Sequence, residues 1–335
     1  MLGCTAATSE FQRLKEIEIV NMKKNRTIAA LVLLSSAFLL VSKVVAANPP
    51  TNADELVAQH LDSIASAKVR AGLKSRVVQG PVEYKILVGG AGVLDGKAFL
   101  VSDGGKFQFM MKLPNAEYRG EQFVFDGEKD KVAFSTARQT RSDLGLFMFG
   151  QDTAIREGLW GGTLSTAWPL LNLEEHKAKL TFEGLKKIDG QELYELRYRP
   201  RKSTDLDVQL YFDPQTYRHV ETIYTYSVSQ SFANLAPSTA VGVAPGSGGL
   251  GGSPSASSAG GTAETAAARQ TPNRYRLQEK FSDFKTVDGV TLPTHYDIQF
   301  SQELQNGRTT LSDWDLKGLD VANNMSVDPH NFEVK

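Results

Sequence analysis

Lys280-Phe281-Ser282-Asp283-Phe284-Lys285-Thr286-Val287-Asp288-Gly289-Val290-Thr291-Leu292-Pro293 reads as a β-hairpin. Asp288-Gly289 stands between two runs rich in aromatic and β-branched residues. Asp followed by Gly supplies, at least cost, the positive φ that a type I′ turn demands at both central positions. The same punctuation recurs at Asp95-Gly96, Asp103-Gly104, Asp126-Gly127, Asp189-Gly190 and Asn306-Gly307. Such pairs predict an antiparallel sheet of long strands.

On either side of this hairpin the period of the apolar residues is two, from about Leu73 onward. Phe107, Phe109 and Met111 alternate with Gln108, Met110 and Lys112; Phe123 and Phe125 alternate with Val124; Val132 and Phe134 follow after a turn. One face of the sheet is therefore heavily aromatic. Further strands are expected at Leu193 to Tyr198, Val208 to Phe212, Val220 to Val228, Tyr275 to Phe284, Val290 to Phe300 and Arg308 to Leu316. Roughly ten strands or more are too many for a flat sheet. The expected fold is α+β, mainly antiparallel β, an incomplete barrel with helices over its concave face.

Two segments depart from this period. Asn52, with Glu55 three residues on, can open a capping box, after which Leu56, His60, Leu61 and Ile64 share one helical face. A lone His on such a face is expected to be packed and hydrogen-bonded. Between the two sheet-forming halves, Leu144 to Leu173 is dense in apolar residues interleaved with glycines, and reads as short helices and loops. It is placed to lie over the sheet either as a lid or as a plain core plug.

Lys23, Lys24 and Arg26, the apolar run Ile28 to Val41, and the small residues Val45, Ala46 and Ala47 form an export signal, which makes Met22 the expected start. Export to the periplasm with cleavage before Asn48 is the expectation. The apolar run is shorter than the roughly 20 residues a membrane span prefers. Cys4, the single cysteine, is removed with the leader, so the mature chain has no disulfide and depends on core burial. It carries 31 Lys/Arg against 35 Asp/Glu, a surface that disfavours nucleic acid as partner. Residues 48–335 are expected to form one domain. Within it, Ala236 to Thr271 falls to Gly, Ala, Ser, Thr and Pro with no aromatic residue, a disordered insertion between strands of like character.

No G-x-S-x-G elbow, H-E-x-x-H, P-loop or cysteine pair occurs, and the five histidines are widely spread. Neither a metal nor a cofactor is expected. Asp313 and Asp315 share a strand face, as paired acids of a glycosidase would, and a charged strand edge explains them equally.

Several stretches resemble one family. Leu210-Tyr211-Phe212-Asp213-Pro214 with Thr216 is similar to the strand and Asp-Pro turn of periplasmic lipoprotein-sorting proteins of the LolA type. Gly190 with Tyr194 and Leu196 resembles the strand before it, Lys106-Phe107-Gln108-Phe109 the early aromatic strand, and Phe281 to Pro293 the late hairpin. The resemblance covers residues 53 to 316. It implies a half-barrel whose apolar cavity shelters acyl chains, and a lid closing on an arginine, for which Arg70 and Arg76 are candidates. Three readings follow. The first is a monomeric, non-enzymatic carrier of lipid or lipoprotein cargo, with inner- or outer-membrane envelope proteins as candidate partners. Phe107, Phe109, Met111, Phe123 and Phe125 would line its cavity, and Phe147, Phe149, Trp160 and Trp168 would cover it. The second is an envelope scaffold with a packed interior. The third is a hydrolase of envelope lipid or glycan using Asp313, Asp315 or His295, which requires those groups to converge.

Overall fold

In the computed structural model, residues 49–134, 141–202, 204–228 and 272–333 are described. The expected leader, Cys4 and the 236–271 tract lie outside them.

Asn52 caps helix α1 (Ala53–Ile64): its side chain accepts the Glu55 N–H at 2.9 Å. The reciprocal arm of the expected box goes one residue further back, because the Glu55 carboxylate takes the Thr51 N–H and hydroxyl. A short α2 (Ala67–Ala71) leads into a meander of β1 (Ser75–Val88), β2 (Gly92–Asp103), β3 (Lys106–Lys112), β4 (Glu121–Phe125) and β5 (Asp130–Phe134). Then come α3 (Asp143–Gly150), α4 (Thr153–Arg156), 3-10 turns at Gly162–Leu164 and Pro169–Leu171, and α5 (Leu173–His176). A second meander follows: β6 (Lys179–Ile188), β7 (Gln191–Arg199), β8 (Asp207–Phe212), β9 (His219–Val228), β10 (Asn273–Val287), β11 (Val290–Glu303) and β12 (Thr309–Lys317), with β13 (Asp320–Asn323) last.

The strands form one antiparallel sheet in the order β5-β4-β3-β2-β1-β12-β11-β10-β9-β8-β7-β6, with β13 beside the first half of β1. The two meanders join where β1 meets β12, Glu83 opposite Asp315. β5 and β6 are not paired to each other, so the barrel is incomplete, the expected α+β fold. Strands β9 and β10, which flank the 236–271 tract, are direct neighbours, with Val228 opposite Asn273.

The turn reading holds in detail at two sites. Asp189-Gly190 and Asp288-Gly289 have positive φ at both residues, and their flanking residues pair directly, as a two-residue type I′ hairpin requires. Asp95-Gly96 is different. It lies inside β2, opposite Glu83 and Val82, and its glycine answers a packing demand: the Lys112 carbonyl occupies the place a Cβ would take.

Alternate residues point inward along the strands, as the period of two demands. Phe107, Phe109, Met111 and Phe123 join Val78, Val82, Leu277, Tyr296, Ile298, Trp314 and Leu316 in one continuous core. The α1 face closes part of it, with Leu56 and His60 fully buried.

Candidate ligand chamber and the segment that fills it

The aromatic inner face is covered by residues 143–173, whose large apolar side chains pack directly on it. Trp160 is completely buried, its ring edge-on to Phe109 at 5.8 Å and to Phe123 at 5.4 Å. Phe147 packs on Phe300 at 5.2 Å and Trp168 stacks on His219 at 4.7 Å. Beside Phe109, Leu164 and Tyr296 a space of about 10 Å³ remains, enough for about one water and far too small for an acyl chain. Phe107, Phe109, Met111 and Phe123 are thus brought together with Phe147, Trp160 and Trp168, and in this conformation the latter fill the hollow of the sheet. Phe125 is half-buried, opposite Phe107. Phe149 does not belong to the cover: it is 46% exposed, under the Arg141 guanidinium at 3.7 Å. The helical period of α3 turns Leu144, Phe147 and Met148 inward and puts residue 149 outside.

Polar anchors hold this segment over an apolar floor. Glu279 on β10, fully buried, accepts the Gly161 N–H at 2.7 Å, the Tyr224 hydroxyl at 2.6 Å and the Tyr296 hydroxyl. Burial pushes its carboxyl up to about 7. The three donors favour the charged form but do not offset its loss of water. Glu121 on β4 plays the same part at the other end, accepting from Tyr118 at 2.9 Å and from Ser142, the N-cap of α3; burial pushes it up to about 7 as well. The Ser142 hydroxyl in turn accepts the Gly145 N–H at 2.9 Å.

Arg76 on β1 donates from Nη1 to the Thr163 carbonyl and from Nε to Asn323 at 2.8 Å. Of the two candidate arginines it is the one bound to the covering segment. Arg70 instead caps the end of α1, donating to the Leu61 carbonyl at 2.6 Å and pairing with Asp62. Gly161, at φ 79°, gives the chain its reversal between Trp160 and Thr163.

Two histidines lie under Trp168. His60 Nδ1 meets the Tyr217 carbonyl at 3.0 Å and its Nε2 accepts the Trp168 indole N–H at 3.3 Å, so the expectation of a packed, hydrogen-bonded residue is met. Burial lowers it to about 4. His219 contacts Thr222 through Nε2 at 2.9 Å, and burial likewise holds it well below its ordinary range.

On the opposite face of the sheet, His295 Nε2 lies 2.7 Å from Asp315 and Nδ1 lies 3.0 Å from the Ser282 hydroxyl. The expected alternative of a charged strand edge fails, because β12 lies between β1 and β11. Burial and the neighbouring Asp313 push Asp297 up to about 7. Asp315 feels burial too, yet bonds from Lys317 and His295 keep it below its ordinary value. The acids and His295 therefore converge, as a cross-strand network outside the filled hollow. Among the described residues no group of His, Cys, Asp and Glu is arranged to hold a metal ion, and no helix is long and apolar enough to cross a membrane.

Glu279, Glu121 and His219 were not singled out by sequence. For Glu279 a signal exists: Tyr275, Leu277, Glu279 and Phe281 share one strand face, so the acid stands in an apolar row.

No family model matches the chain, and no match was found among curated proteins. Among solved structures it is similar to a LolA superfamily protein from Nitrosomonas europaea, at 15% identity over 85% of this chain and 99% of that one, TM-score 0.41. It is similar also to a DUF1329 family protein from Desulfovibrio piger, at 11% identity over 84% and 96%, TM-score 0.36. A putative outer membrane lipoprotein-sorting protein domain from Vibrio parahaemolyticus matches at 8% identity over 82% and 97%, TM-score 0.37.

Proposed function

We propose that this chain is an exported, periplasmic carrier or binder of lipid or lipidated cargo, seen here in its closed state, and that residues 143–173 are the lid. The observation that carries the reading is the way the hollow is filled. Its cover is a glycine-jointed segment outside the sheet, attached to the floor by a few polar anchors at Glu121, Glu279 and Arg76. Withdrawal of Trp160 and Phe147 exposes the row Phe107, Phe109, Met111 and Phe123 to cargo, and sheltering an acyl chain there recovers about 0.8 kcal/mol per buried CH₂. Carriage needs no bond-making, and on this reading the His295 network stabilises the outer face without catalysing. Native mass spectrometry of the protein purified from membrane-containing lysate tests the reading. Co-purifying lipid is the expected result; absence of lipid together with no binding of a fluorescent fatty-acid probe refutes it. Labelling of Ser282 by a fluorophosphonate probe would instead speak for a hydrolase.

A second reading is favoured by the small residual space beside Phe109: an envelope scaffold whose interior stays packed and which binds partners by an open strand edge. Hydrogen exchange separates the two. The lid reading expects the amides of residues 144–171 to exchange faster than those of β10 and β11, whereas a permanent plug exchanges with them.

A further inference from the structure

Arg76 is a buried cation with no acid to neutralise it. It is 1% exposed, and among the described residues no carboxylate forms an ion pair with it; its partners are the neutral Thr163 carbonyl and Asn323 amide oxygen. A charge taken out of water is retained at low cost only when it is paired. Three polar atoms around it are also buried and without a partner: Arg76 Nη2, Thr163 Oγ1 and Asn323 Nδ2. Arg76 Nη2 and Asn323 Nδ2 are donors, and the hydroxyl can act as one. A guanidinium edge, an amide and a hydroxyl, all desolvated and belonging to residues that Arg76 itself ties together, make a receptor for an anion rather than for a cation or a hydrocarbon.

Arg76 belongs by strand parity to the inner face of β1, in one row with Val78 and Val82. Asn323 lies directly opposite it in β13. Both therefore belong to the floor, while Thr163 belongs to the covering segment. Resting on the carrier reading above, we propose that Arg76 and Asn323 bind the anionic head of a single-chain or multi-chain amphiphile, a carboxylate or phosphate ester, and that the Thr163 carbonyl holds its place while the lid is closed. The cargo is then an acidic lipid whose chain runs along Phe109 and Phe123. Arginine suits such a head because its planar fork meets two oxygens at once.

The test compares amphiphiles that share a chain and differ in the head. Dodecanoate, dodecyl phosphate and dodecanol are titrated into the wild-type protein at pH 8, with inorganic phosphate as the chainless arm. Both anions are expected to bind at least about tenfold more tightly than the alcohol, and inorganic phosphate is expected to bind at least a hundredfold more weakly than dodecyl phosphate. Arg76→Met should abolish the preference for acid over alcohol, read as the ratio of the affinities within each variant because loss of the lid anchor shifts all three amphiphiles together, and Arg76→Lys should keep part of it. If Arg76→Met does not fold, Asn323→Ala, at a half-buried position, should reduce the same preference. Equal binding of the three amphiphiles overturns the headgroup site and leaves the carrier reading standing. Failure of all three to bind overturns both. Inorganic phosphate binding as tightly as dodecyl phosphate would make this a site for a free anion and overturn the assignment to lipid.

Discussion

Glu279→Gln is the substitution whose outcome follows most directly from the geometry. The wild-type carboxyl sits at about 7 in the folded protein against an ordinary value of 4.5. Between those two pH values the folded state holds a proton that the unfolded state has released. A group raised in this way adds its full stability below 4.5 and loses it as pH rises through 7. At about 1.4 kcal/mol per pH step, the gap amounts to about 3 kcal/mol. Glutamine keeps an oxygen for the Gly161 N–H and presents an amide to Tyr224 or Tyr296, whose hydroxyls can turn to accept it, and it does not titrate. Urea unfolding of both proteins at pH 5 and pH 8 should therefore show the variant gaining about 3 kcal/mol on the wild type over that interval. Titration of the histidines and of Glu121 is common to both chains and cancels in the comparison. A relative gain below about 1 kcal/mol, or one of opposite sign, would show that Glu279 is not the desolvated acid described.

The histidines give the converse dependence: His60 is lowered to about 4 from 6.5, so its stabilisation is present above 6.5 and lost as pH falls through 4. His60→Asn should remove about 3 kcal/mol of the acid-side loss, read as a flatter urea-stability profile between pH 6.5 and 4. Trp160→Ala should cost about 3 to 5 kcal/mol in urea unfolding at pH 7, because the indole fills space between Phe109 and Phe123; a loss under about 1 kcal/mol would mean that the covering segment collapses over the gap. Replacing residues 236–271 with a short Gly-Ser turn should shift the melting temperature by no more than about 2 °C, since Val228 and Asn273 already pair and loop closure depends weakly on length. Trypsin cleavage after Arg269 should leave two fragments associated, and fragments that separate would make the tract an interdomain linker.

Much of the sheet was legible because strand alternation and I′ turn chemistry are local. Ile188-Asp189-Gly190-Gln191 carries its own conformation, and so does the row Phe107, Phe109, Met111. Asp95-Gly96 misled, since its glycine serves a contact with Lys112 made only after β2 and β3 pair. The site was less legible for the same reason. Arg76, Glu121 and Glu279 stand at inward positions of their strands, but their partners Thr163, Ser142 and Gly161 lie 87, 21 and 118 residues away. His219 was hidden further by the register shift between Tyr211 and Phe212: unbroken alternation from Tyr226 and Tyr224 would have placed it on the outer face with Ile223, and the shift turns it inside. Apolarity alone puts Phe149 with the cover, and the helical period of α3, which depends on where that helix begins, turns it outward.

The seam between the two meanders bears on how the chain comes to be folded. β1 pairs along its second half with β12, Glu83 with Asp315 and Tyr84 with Trp314, and along its first half with β13, so its free edge is completed by the last strands to emerge. A chain that appears N-terminus first presents a finished five-stranded sheet whose long edge, rich in Val, has no partner until nearly the whole polypeptide is available. Such non-local pairing slows folding, and an unpaired edge of this length is a template for association with other chains. The transit time between synthesis of β1 and arrival of β12 is therefore the interval of greatest exposure, and a holding chaperone that covers strand edges should raise the yield of this protein more than one that acts on helices.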